Sequence, residues 1–65
     1  MKMDAKEFKE ITDTIGLKAG KLGKLLFRSP VVIARYRSGK NPIPDSVAFR
    51  VKQIRDAMNK IERGE

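Results

Sequence analysis

The chain carries its own helix starts and stops, spaced so closely that only short helices fit between most of them. Gly16 and Gly39 are placed to end helices through a left-handed residue. Ser29-Pro30 is placed to begin one, because the Ser29 hydroxyl can cap free N–H groups while Pro30 suits a first turn that needs no N–H from it. Pro42 and Pro44 then break regular structure beyond Gly39.

These marks divide the chain into four helical segments. The first is expected from about Ala5 to Ile15, with Asp4 and Glu7 as a capping-box-like start and Phe8, Ile11 and Ile15 on one face. The second runs from Lys18 or Ala19 to Leu26 and is intrinsically weak, since Gly20 and Gly23 each cost roughly 1 kcal/mol against Ala. Leu22, Leu25 and Leu26 supply its apolar anchors, and Gly23 is expected to lie where another helix backbone passes close. The third spans Ser29 to Gly39 and puts Ile33 and Tyr36 on one side, Val31, Arg35 and Ser38 on another. The fourth begins near Asp45 or Ser46 and reaches Ile61 or Glu62, with Val47, Val51, Ile54, Met58 and Ile61 forming an a/d seam. Phe49 points away from that seam, and Arg63 to Glu65 are expected to fray.

A chain of 65 residues holds one small domain, near the lower size limit for a self-sufficient core. With no Cys and no His, disulfides, thiolate chemistry and the usual zinc sites are excluded, so added stability is expected from a partner subunit. No apolar run approaches the roughly 20 residues of a membrane span, and the start lacks a signal peptide's apolar core. A cytoplasmic protein is expected.

The distribution of charge says more than its total. Residues 14 to 44 hold Lys18, Lys21, Lys24, Arg28, Arg35, Arg37 and Lys40 without one carboxylate, and so account for the whole net charge of +7. The flanking segments mix both signs. A face kept only for solubility has no need to exclude acids, so the central segment points to a polyanionic partner. Lys18, Lys21 and Lys24, spaced by three, form a row along one side of the second helix that suits a nucleic-acid strand.

The order of these parts resembles the helix-turn-helix domains of the Cro and phage-repressor family, often called the Xre family. The segments that carry the resemblance are Ile15-Gly16-Leu17, Lys21-Leu22-Gly23-Lys24-Leu25-Leu26, Ile33-Ala34-Arg35-Tyr36 with Ser38-Gly39-Lys40, and Pro42-Ile43-Pro44. It covers roughly residues 5 to 58. It implies an all-α, compact four- to five-helix bundle of the lambda-repressor-like type, with the helix-turn-helix at about residues 18 to 38 and the last helix serving core and dimer packing. Three positions depart from the family pattern. Lys18-Ala19 stand where Thr or Ser and then Gln are usual, Arg37 replaces a common Glu, and Phe27-Arg28 occupy a turn that usually has Gly. If that turn is kept, Phe27 must adopt an uncommon backbone conformation.

The resemblance further implies a small phage or bacterial transcriptional repressor, binding double-stranded DNA as a homodimer on a palindromic operator. Ser29, Pro30, Val31, Ala34, Arg35 and Ser38 would face base edges in the major groove. Of these only Arg35 has a strong code, forking onto guanine O6 and N7, while Pro30 and Val31 can press on thymine methyls. Lys18, Lys21, Lys24, Arg28, Arg37, Lys40 and Asn41 would hold phosphates. Ile54, Met58 and Ile61 would meet the second copy.

The alternative is a protein-binding module, inhibitor or antitoxin-like, that turns its basic face toward an acidic protein. RNA binding is disfavoured by the sparse aromatics, and a membrane-active peptide by a pattern that describes a packed domain. No catalytic constellation can be assembled without His or Cys, so an enzyme is not expected. No cofactor or small-molecule ligand is implied.

Overall fold

The computed structural model describes residues 2–62, and the expectation for Arg63 to Glu65 lies outside them. It is all-helical, with four helices in the order α1 (Ala5–Ile15), α2 (Ala19–Leu26), α3 (Pro30–Ser38) and α4 (Asp45–Glu62). No strand occurs among the described residues.

Local chemistry accounts for most of the boundaries. The Asp4 carboxylate accepts from the Glu7 backbone N–H at 2.7 Å, which caps α1. Gly16 ends it at φ 76°, with its N–H donating to the Thr12 carbonyl. Ser29 Oγ accepts from the Val32 N–H at 3.2 Å to open α3, and Gly39 closes that helix at φ 82°. The start of α4 differs in detail from the expected cap. Its first turn closes from the Ala48 N–H to the Pro44 carbonyl at 3.0 Å, so Pro44 takes the flanking position and Asp45 lies inside the first turn. There its charge opposes the positive end of the helix dipole.

The core forms where α1 packs on α3 and α4, with α2 lying on α3 and only grazing α4. Phe8, Leu22, Ile33 and Val51 are its largest fully buried apolar side chains. Each fully buried group of this kind contributes about 1.5 to 3 kcal/mol. Phe8 and Tyr36 meet edge to face with ring centroids 5.6 Å apart, which joins α1 to α3. Met3, Thr12 and Ile43 are buried as well. Met3 precedes α1, Ile43 sits between two prolines, and Thr12 hides its hydroxyl by donating to the Lys9 carbonyl at 3.1 Å.

The α4 seam is not one continuous strip. Val47 and Val51 are buried, Ile54 and Met58 are half-buried against this chain's own core, and Ile61 is 76% exposed. Phe49 is exposed on the opposite side. No helix among the described residues is long and apolar enough to cross a membrane.

Candidate nucleic-acid interface

The α3 helix is held by one face and bare on the other. Ile33 and Tyr36 are buried, which fixes its rotation about its own axis. That rotation leaves Val31, Ala34, Arg35 and Ser38 exposed along about 13 Å of helix. Val31, at 61% exposure, is a large apolar side chain with no place in the core. The Arg35 guanidinium makes no ion pair among the described residues. Its backbone carbonyl, by contrast, accepts from the Lys40 N–H at 3.0 Å and the Asn41 N–H at 3.3 Å, and the Ser38 hydroxyl donates to it at 3.3 Å. Arg35 therefore has a fixed main chain and a free head.

Beside it, α2 contributes the lysine row. Lys18, Lys21 and Lys24 are all exposed, and together with Arg28, Ser29 and Pro30 they line an open groove that no carboxylate enters. The groove thus brings together four of the expected phosphate-binding residues and two of the expected base-facing ones. Lys18 flanks the start of α2 in an extended conformation and makes no side-chain cap there. A smaller hollow gathers Ala34, Ser38 and Arg37 with Lys9 of α1 and Ala19 of α2. Lys40 and Asn41 lie beyond the α3 stop and line neither depression.

Two arginines of the basic set are already engaged within the fold. Arg37 donates to Asp13 of α1 at 2.8 Å, so part of its charge is answered by a carboxylate 24 residues away in the chain. An exposed pair of this kind is worth on the order of 0 to 1 kcal/mol, weak enough for a phosphate to compete. Arg28 donates from Nε to the Tyr36 hydroxyl at 3.4 Å and from Nη1 to the Phe27 carbonyl at 3.0 Å. The Tyr36 oxygen is thereby turned toward Arg28.

The turn that joins α2 to α3 sets how the two basic faces meet. Phe27 sits at φ 57°, ψ 42°, the left-handed conformation that the unusual turn sequence required. Gly23 is needed just beneath it, because a Cβ there would strike the Arg28 backbone carbonyl. The close neighbour is this returning turn, not the backbone of another helix. Arg50 of α4 braces the same corner, donating from Nε to the Leu25 carbonyl at 3.1 Å and lying 5.5 Å from the Phe27 ring centroid. Sequence reasoning missed Arg50 because nothing local marks it; α4 alone shows only an outward arginine in a mixed-charge helix.

No family model, curated protein or solved structure matches this chain.

Proposed function

We propose that this protein is a sequence-specific double-stranded DNA-binding transcriptional regulator of the Cro and phage-repressor type, acting in the cytoplasm as a homodimer on a palindromic operator. In this reading α2 and α3 form a lambda-repressor-like helix-turn-helix, α3 enters the major groove, and the protein represses by occupying a promoter rather than by catalysis. The observation that carries it is the bare outer face of α3, with Arg35 unpaired among the described residues, flanked by the acid-free lysine groove of α2.

Arg35 reads a guanine through a forked contact, and Val31 presses on a neighbouring thymine methyl. Lys18, Lys21, Lys24 and Arg28 hold the backbone of one strand, while Arg37, Lys40 and Asn41 hold phosphates at the far end of α3. Two copies are joined through Ile61 and the outer edges of Ile54 and Met58, which sets their reading helices about 34 to 36 Å apart.

Selecting bound sequences from a random duplex pool tests the reading. A symmetric consensus is expected, and Arg35→Ala is expected to relax preference at one base position per half-site, a discrimination worth about 1 to 3 kcal/mol. An unenriched pool, or an Arg35→Ala variant with the original preference, would overturn it.

A further inference from the structure

At the corner where α2 meets α4, the exposed Phe27 ring and the Arg50 head have no duplex contact in the reading above. Phe27 is 77% exposed there while holding a left-handed backbone that glycine would adopt freely. Leu25, expected as an apolar anchor of α2, is 39% exposed instead, because the core takes only Leu22 and Leu26 from that helix. An aromatic ring in this place adds nothing to the core. Arg50 stacks on the ring and uses Nε on the Leu25 carbonyl, which leaves its two terminal nitrogens side by side for a carboxylate. The two hollows that meet at Phe27 are lined on one side by Lys18, Lys21, Lys24 and Arg28, and on the other by Arg28, Ser46 and Arg50, with no carboxylate in either.

We propose that this corner docks a segment of a partner protein that is acidic and carries an apolar anchor. Its carboxylates meet Arg50, and its apolar side chain covers Phe27. Exposed aromatic and arginine side chains in one patch are the kind that dominate protein interfaces, and an all-basic rim selects an acidic partner. A second copy of this chain is a poor occupant, because a two-fold contact through Phe27 would set Arg50 and Lys24 of each copy against like charges. Duplex DNA supplies the charge but no apolar group shaped to cover Phe27. Neither Phe27 nor Arg50 touches duplex DNA in the reading above, although the turn they hold sets the α2–α3 angle.

The test pans a displayed library of random short peptides on the full chain, then maps the enriched peptides on the wild-type protein by amide chemical shifts. Expected are peptides that combine Asp or Glu with Leu, Phe or Trp, and shifts centred on Leu25 to Arg28 and Ser46 to Arg50. Affinity should fall at least about tenfold in Phe27→Gly, which suits the turn, and in Arg50→Gln, which can still donate to the Leu25 carbonyl. Both variants should keep the wild-type amide spectrum away from the corner, so that the loss is not one of folding. The proposal is overturned by an unenriched library, by enriched peptides lacking acids, by binding indifferent to Phe27→Gly, or by shifts confined to the α3 face. It is equally overturned if single-stranded oligonucleotides displace the peptides from Phe27, or if Phe27→Gly abolishes a self-association seen by sedimentation.

Discussion

Both α2 and α3 end on a residue in the left-handed conformation, but they reach it by different means. After α3 the residue is Gly39 at φ 82°, and its N–H donates to the Arg35 carbonyl. Nothing outside the segment is needed, because glycine has no Cβ to clash. After α2 the residue is Phe27 at φ 57°, which carries a side chain into the same conformation and leaves it exposed. That stop is held by neighbours. The Arg28 N–H donates to the Gly23 carbonyl at 2.8 Å, as the Lys40 N–H does to the Arg35 carbonyl after α3, but here Arg28 also ties the turn to Tyr36 and Arg50 reaches across from α4. One stop is local and the other is tertiary, so the α2–α3 angle depends on interactions that the end of α3 does not need.

The contrast can be broken most sharply beneath Phe27. Gly23→Ala pushes a methyl into the Arg28 backbone carbonyl, which cannot retreat without opening the turn, and should cost about 2 to 3 kcal/mol in denaturant titration. Gly39→Ala comes next, at about 1 to 2 kcal/mol. Its effect is purely conformational, because the added Cβ meets only Ala5 Cβ at an ordinary 3.5 Å. Phe27→Gly has a sign that depends on Arg50. With Arg50 present, relief of the backbone strain is nearly cancelled by removal of the guanidinium–ring attraction. In an Arg50→Ala background the same change should stabilise by about 1 kcal/mol. A double-mutant cycle with additive effects would show that Arg50 does not brace the ring.

The smallest effect isolates space from conformation. Gly20 lies in the same helix as Gly23, yet a Cβ built on it meets nothing within 4 Å. Gly20→Ala should therefore stabilise by about 0.5 to 1 kcal/mol, opposite in sign to Gly23→Ala, and thermal melting of the two variants side by side would show it.

Residues that act on near neighbours were readable from the chain. The extent of α1, the αL stops at Gly16 and Gly39, and the division of α3 into an Ile33–Tyr36 face and a Val31–Arg35–Ser38 face follow from caps and helical spacing. The lysine row on α2 was readable for the same reason, since residues spaced by three share a side of a helix. Burial of Met3 and Ile43 was not readable, because each is buried by a distant element rather than by its own periodicity, whereas Thr12 stands four residues after Phe8 on the apolar face of α1 and only its polar side chain hid its burial. The Arg37–Asp13 pair and the Arg50 brace also join residues 24 and 25 positions apart, and neither side of such a pair announces the other. For the α4 seam, spacing placed Ile54, Met58 and Ile61 along one strip, but only the packed core decides how much of each remains outside it.

The sequence by itself determined the ends of α1 and α3 and the buried side of each, because capping and side-chain periodicity operate over a few residues. It also determined that the middle of the chain is basic and free of acids. Tertiary structure alone decided which of those basic side chains are left free. It engaged Arg37 with Asp13 and Arg28 with Tyr36, and left Arg35 without an ion pair among the described residues. It also turned an unfavourable Phe27 stop into an exposed, arginine-backed corner. The reason is physical: whether a charge is answered depends on distance in space, and local sequence sets that distance only within a helix.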